Sequence, residues 1–273
     1  MLGNFIKGII GDGFLTEVIL TAFMRQIGIS PEDTYVLAKT SGRCQELLEN
    51  YNVHAVQNSM VFVPPAKLIV IAVELEDAPR IMKQISDKVS EDAIIISVVQ
   101  GLKLSQIESF FPDHMVIRML MNPWIVNGYG VSTYVVGEYN SEEAENIASA
   151  ILSSLGETIK VDSEDELEII GELILSETLF SYVTVRALIN SNKEAGLSIS
   201  KSQEIVRKIL TSSSKAISEA DALTESVLER SYNKGEYLEN SKRLMDKYTI
   251  MESFQKSFEE TLVEKNIFKL RYR

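Results

Sequence analysis

Gly8-Ile9-Ile10-Gly11-Asp12-Gly13 closes a short apolar run and opens an amphipathic stretch beginning at Phe14. Glycines at this spacing, where a strand turns into a helix, let the phosphates of a dinucleotide approach the backbone. Gly11 serves the tight turn, and Gly13 leaves main-chain N–H groups open to a pyrophosphate at the helix N-terminus. The third position of this pattern favours Gly or Ala for close helix–strand packing and is Thr16 here. Asp12, between the glycines, would repel a pyrophosphate unless its side chain turns away.

A second cue lies where the second strand should end. An acidic residue there bonds the ribose of NAD, whereas a cation accommodates the 2′-phosphate of NADP. The run is Leu37-Ala38-Lys39-Thr40-Ser41, followed by Arg43. Lys39, Thr40, Ser41 and Arg43 form a candidate pocket for the 2′-phosphate of NADP. Lys lacks the planar fork of Arg, so NAD is also possible. Metal chemistry is not expected. His54 and His114 lack ligand spacing, and Cys44 is the only cysteine, which also excludes an intramolecular disulfide. There is no nucleophile elbow and no general-acid pair of carboxylates.

The elements that would position these residues follow from a change of composition along the chain. All six prolines lie at or before Pro123, and 11 of the 14 glycines precede residue 161. The first part reads as strand–helix units, with strands at Phe5–Ile10, Tyr35–Ala38, Leu68–Val73, Ala93–Val98 and Met115–Met119. Helices are expected at about 14–27, 41–51, 77–89 and 104–110. Two further edge strands, Val131–Val136 and Thr158–Val161, flank a helix starting near Ser141. Alternation of this kind implies an α/β fold with a mostly parallel, doubly wound sheet. Past residue 164 only helical periodicity remains. Leu167, Ile170 and Ile174 mark one face, and Ile169, Leu173, Phe180, Val183 and Ala187 a neighbouring one. A helix so apolar belongs inside a helical domain or a dimer core. The expected division is residues 1–160, a dinucleotide-binding domain, and 161–273, an all-α dimerisation and substrate domain, with helices at about 200–219 and 236–268.

The 273 residues carry a net charge of −12. That disfavours nucleic-acid binding, which needs cations to replace counterions along the phosphates. The basic tail Lys265, Lys269, Arg271 and Arg273 is read as complementing a helix C-terminus. No apolar run approaches the ~20 residues of a membrane helix. The N-terminal stretch has no basic n-region and carries Asp12 and Glu17, so no secretory leader is expected. The expected setting is cytoplasmic, without membrane or nucleic-acid partners.

With these residues together, the chain resembles the pyrroline-5-carboxylate reductase family. Lys7 to Leu15 is similar to that family's opening strand and phosphate loop, and Lys39-Thr40 falls where it has Arg and a small hydroxyl residue. Ile96-Ser97-Val98-Val99-Gln100-Gly101-Leu102 resembles its Ile-Ser, two small residues, Ala-Gly and apolar run. Arg118-Met119-Leu120-Met121-Asn122-Pro123-Trp124 resembles its Arg-x-Met-Pro-Asn-Thr-Pro motif, and Gly128-Tyr129-Gly130-Val131 its following turn. The resemblance implies a Rossmann-like domain, a helical dimerisation domain, and reduction of a cyclic imine to proline with NAD(P)H. It also implies that Phe14, Leu15, Val73 and Asn122 join Gly11, Gly13, Lys39, Thr40 and Arg43 at the cofactor. Asn122, Ser176 and Thr178 would act at the substrate. Trp124 is expected to wall the pocket or to join the core.

Several positions depart from the family. Its Lys-Pro after the fourth strand is Glu74-Leu75. Its Ser-Gly-Ser-Gly-Pro-Ala-Tyr is Ser176-Glu177-Thr178-Leu179-Phe180-Ser181-Tyr182, and Arg230 to Gly235 stands near its Pro-Gly-Gly-Thr-Thr. The family works by positioning, with backbone N–H groups of a glycine-rich helix interruption holding the substrate carboxylate. Here the helix should run on. Seven acidic residues and no basic one lie between Lys160 and Arg186, a poor reception for an anion or simply a solvated helix start. Two readings follow. One is an NAD(P)H-dependent reductase of a cyclic imine or related C=N or C=O group, working as a homodimer through its C-terminal helices. The other is a catalytically degenerate relative acting as a nucleotide-binding, interaction or regulatory scaffold.

Overall fold

The structure is a computed structural model that describes residues 5–139, 142–219 and 236–264. The chain divides into two compact units, Met1–Leu175 and Ser176–Arg273.

The first unit is built on one eight-stranded sheet. Its strands are β1 (Ile6–Ile10), β2 (Thr34–Leu37), β3 (His54–Val56), β4 (Ala66–Ile71), β5 (Ile94–Ser97), β6 (Met115–Met121), β7 (Gly130–Val136) and β8 (Gly156–Lys160). The spatial order is β3-β2-β1-β4-β5-β6-β7-β8. Every neighbouring pair is parallel except β6 with β7. The apolar runs become parallel strands because both faces are covered. Side chains alternate between two separate cores, Ile9 in one and Ile10 in the other. Helices α1 (Phe14–Ala22), α2 (Ser41–Tyr51) and α5 (Glu142–Ser154) cover the first face, with Val18, Leu47 and Ile151 buried there. Helices α3 (Ala78–Ile85) and α4 (Leu104–Glu108) cover the second through Ile81, Met82 and Ile107.

A doubly wound α/β fold therefore agrees with the sequence reading, with two local differences. The edge strand β3 has no apolar run to announce it. It is three residues long, and its first residue, His54, is exposed but stacks on Tyr35 at 4.7 Å. The first helix does not stay α-helical to residue 27. It passes into a π-helical turn at Phe23–Ile27, ended by Gly28 with φ 67°.

The long helix α6 (Glu164–Glu194) runs unbroken across the division between the units. No glycine or proline between Gly171 and Glu194 interrupts it. Its opening turns belong to the first unit because Leu167 is fully buried and packs with Leu120, Val135 and Val161. Gly171 lies against Leu120 so closely that a Cβ there would come within 2.3 Å of that side chain.

In the second unit, α6 ends at Gly196, which adopts φ 93°. Ser198 accepts from the Lys201 N–H at 3.2 Å at the start of α7 (Ile199–Glu219). Helices α8 (Glu236–Lys247) and α9 (Ile250–Glu264) replace the continuous helix expected at 236–268, broken where Thr249 takes φ 48°. Phe180 packs on Phe254 and Phe258 at 5.3 and 4.3 Å between ring centroids. Arg230 to Gly235 and the basic tail from Lys265 lie outside the described residues.

Candidate functional site

The order of the sheet reverses direction at β1. From β1 the chain builds outward to β2 and β3 on one side, then returns to place β4 on the other. Ligands of open α/β sheets bind outside the carboxyl ends of the strands at such a switch point. The ends of β1, β2 and β4, and the loops that follow them, converge there.

Gly11 is held by this convergence. Its N–H donates to Leu37 O at 3.3 Å, and it adopts φ 130°. A Cβ on Gly11 would stand 2.0 Å from the carbonyl oxygen of Ala72, just past the end of β4. The pattern's first glycine is thus required by backbone-to-backbone approach as well as by its turn. Gly13 is different. It precedes α1 with φ −82°, and nothing lies within 4 Å of where its Cβ would be. The first N–H groups of α1 have no intrahelical partners, and no side chain from Gly13 caps them. The result is open space in front of a helix N-terminus, which suits an anion.

Asp12 turns away from that space. Its carboxylate accepts from the Lys39 backbone N–H at 2.7 Å, tying the glycine loop to the end of β2. Arg43 is committed to the same scaffold. Its Nε donates to Asp12 O at 2.9 Å, and its two terminal nitrogens pair with Glu17 and Glu46. Glu17 also accepts from Tyr51 Oη at 3.0 Å. The Arg43 hydrogen bond, chiefly, holds the Glu17 carboxyl below its ordinary value. Thr40 caps α2, accepting from Arg43 N–H at 3.2 Å. Lys39 remains 60% exposed, with its Nζ 2.8 Å from Asp77. The Asp77 hydrogen bond raises the Lys39 ammonium above its ordinary value.

Beside the α1 N-terminus lies a cavity of about 190 Å³. Phe14, Leu15, Val98, Met121 and Pro123 are among its walls, and Gln100 is the one polar side chain among them. Phe14 is 74% exposed, although it is a large apolar residue at the start of a helix. Val73 follows β4 and Asn122 follows β6, so both stand on the same carboxyl edge. Asn122 is buried and braces the β6–β7 connection, its Oδ1 accepting from Val131 N–H at 3.2 Å. Trp124 sits in the short turn Pro123–Asn127 and is 43% exposed, so it is not core. Ser176 and Thr178 both lie on α6 at the start of the second unit, half-buried.

Three groupings have no counterpart in the sequence reading. Asp77 reaches Lys39 from the loop after β4, and Arg80 at the start of α3 pairs with the other oxygen of the same carboxylate. Gln100 Nε2 donates to the buried carboxylate of Glu172 at 2.8 Å. The acidic stretch after Lys160 does have a basic partner, contributed by another element. Arg118 on β6 is 1% exposed and pairs with Glu164 and Glu168. Distance along the chain hid all three. His54 and His114 serve packing, His114 Nε2 lying 3.1 Å from Ser90 O. Among the described residues no cluster could hold a metal ion.

The arrangement fits a nicotinamide dinucleotide. It offers an uncapped helix N-terminus, a glycine whose Cβ space is empty, and an apolar cavity beside them. Residues 7–101 match the family model described as NADP oxidoreductase, coenzyme F420-dependent. Pyrroline-5-carboxylate reductase 1 of Bacillus subtilis is 23% identical over 212 residues, covering 77% of this chain and 71% of that protein. The pyrroline-5-carboxylate reductase of Synechocystis is 22% identical over 78% of this chain and 79% of its own length. The Plasmodium falciparum pyrroline carboxylate reductase, solved with NADP bound, superposes with a TM-score of 0.81 at 15% identity. It covers 97% of this chain and 98% of its own. The Coxiella burnetii pyrroline-5-carboxylate reductase gives 0.75 at 18% identity, over 97% and 99%. These two structures share the fold. In its motifs, in the matched nucleotide-binding model over residues 7–101 and in these curated relatives, the chain is similar to the pyrroline-5-carboxylate reductases and shares their fold.

Proposed function

We propose that the protein is an NAD(P)H-dependent reductase of a small molecule, acting on the C=N carbon of a cyclic imine or on a related C=O group. The observation that carries this reading is the open N-terminus of α1 at the switch point, where Gly13 leaves room for a pyrophosphate. Bound there, the nicotinamide would supply a hydride. Gly11, Gly13, Phe14 and Leu15 hold the dinucleotide, and Val73 and Asn122 border it from the same edge. Lys39 and Thr40 receive the 2′-phosphate of NADPH, while Arg43 braces the loop that carries them. Ser176 and Thr178 act at the substrate.

The substrate differs from that of the family's well-endowed members. α6 continues helically through the stretch where the resemblance calls for a glycine-rich interruption, so its backbone N–H groups are spent within the helix. A substrate carboxylate loses those donors. We therefore place an imine without an amino-acid carboxylate ahead of pyrroline-5-carboxylate, and a part in proline biosynthesis second. The working form is a cytoplasmic homodimer. Leu179, Val183 and Ile209 in the second unit are each more than half exposed, a surface suited to a second copy. Among the described residues no helix is long and apolar enough to cross a membrane.

The test is oxidation of NADPH or NADH followed by absorbance with a panel of cyclic imines, with and without a carboxylate. Turnover that disappears in Gly13→Glu supports the reductase. Dinucleotide binding without turnover on any imine or carbonyl favours the scaffold reading instead, which the uninterrupted α6 independently suggests.

A further inference from the structure

One carboxylate stands between two cations at the edge where an adenosine ribose would lie. Asp77 Oδ2 accepts from Lys39 Nζ at 2.8 Å, and its Oδ1 accepts from Arg80 Nη2 at 3.0 Å. Lys39 follows β2, whereas Asp77 and Arg80 sit at the start of α3, reached from β4. β2 and β4 are the two neighbours of β1, so the three residues meet beside the glycine loop. Two cations converging on the oxygens of one anion is the arrangement that grips a phosphate. Here the anion is supplied from within the chain.

We propose that Asp77 acts as an internal stand-in for the 2′-phosphate of NADPH, occupying Lys39 and Arg80 and so restraining the preference for NADPH over NADH. The proposal rests on the dinucleotide site of the preceding subsection and adds the residue that sets its cofactor choice. A 2′-phosphate approaching Lys39 must either displace Asp77 or sit beside a like charge. NADH brings no such conflict, because a carboxylate is a good acceptor for a ribose hydroxyl. Lys39 and Arg80 are 60% and 66% exposed, so the ion pairs are screened and can open. The two cations, Lys39 first, hold the Asp77 carboxyl below the ordinary aspartate range, which keeps it anionic at neutral pH. Asp77 precedes α3 without a side-chain capping bond, so an amide there leaves the helix start intact.

The experiment is a calorimetric titration of the full chain with NADPH and with NADH, repeated for Asp77→Asn and for Asp77→Asn combined with Lys39→Met. The wild type should bind the two within about tenfold of each other. Asp77→Asn should tighten NADPH by about tenfold and change NADH less than about twofold, and Lys39→Met should cancel the gain. A ratio unchanged in Asp77→Asn, or both affinities moving together, overturns the role of Asp77 while leaving the nucleotide site standing. Binding of neither dinucleotide by any of the three proteins overturns the site and the inference together.

Discussion

Arg118 Nη1 donates to Glu164 Oε1 at 2.8 Å, so a fully buried guanidinium on β6 fastens the first turn of α6 to the sheet. The same Glu164 oxygen accepts from the Leu104 N–H at the start of α4, and Glu168 takes the other end of the fork. Arg118→Met should cost about 2 kcal/mol, because it removes both ion pairs at once while the two carboxylates keep part of their exposure to water. Glu164→Gln or Glu168→Gln should each cost about 1 kcal/mol, since both partners are more than a quarter exposed. Trp124 is the only tryptophan and lies in the first unit, so its fluorescence during urea unfolding reads this directly. An unchanged midpoint in Arg118→Met would contradict it.

Gly11 and Gly13 should fail in different ways. Gly11→Ala drives a methyl group into the Ala72 carbonyl at a φ that L residues avoid, and should cost about 3 kcal/mol or more. Gly13→Ala meets nothing, and its stability should stay within about 0.5 kcal/mol of wild type. Its dinucleotide affinity should nonetheless fall by about tenfold, as the added methyl fills space in front of α1. Thermal unfolding and nucleotide titration of the two variants separate these effects.

Thr16 is fully buried, and its hydroxyl has no hydrogen-bond partner. Thr16→Val keeps the shape and removes the unsatisfied group, so it should stabilise the protein by about 1 kcal/mol. A destabilised Thr16→Val in urea would mean that the hydroxyl is satisfied after all.

The Glu17–Arg43 pair predicts an acid-side dependence. The Glu17 carboxyl is held below its ordinary value of 4.5, first by the Arg43 hydrogen bond. A depressed carboxyl gives stability that is present above the unfolded value and is lost as pH falls through the folded one. Stability measured below pH 4.5 should therefore fall less steeply in Glu17→Gln than in wild type. The pair is partly exposed, so its worth at neutral pH should be under about 1 kcal/mol. Parallel slopes for the two proteins would remove Glu17 from the account.

The sequence showed the sheet wherever strands are apolar on both faces, as in Ile6–Ile10 and Ile94–Ser97. It did not show β3, where an exposed His54 opens a three-residue edge strand. The glycine loop was legible because backbone constraints leave a local signature, and Gly11 and Gly13 are four residues or fewer from the helix they introduce. Pairings across the fold leave none. Lys39 was legible as a cation after β2, but Asp77 is 38 residues away and arrives only through the β4 crossover. Arg118 matched a motif, yet its partners lie 46 and 50 residues further on, so the acidic run read as unpaired.

The open end of α1 should bind a nicotinamide dinucleotide. Calorimetric titration of NADPH and NADH into the wild type and into Gly13→Glu, with thermal unfolding of both proteins alongside, decides whether it does. The wild type should show saturable binding at micromolar concentrations, on the order of 10 µM, abolished in a Gly13→Glu protein that unfolds at the wild-type temperature. Absence of binding by the wild type at ~1 mM, or equal binding by Gly13→Glu, would contradict it.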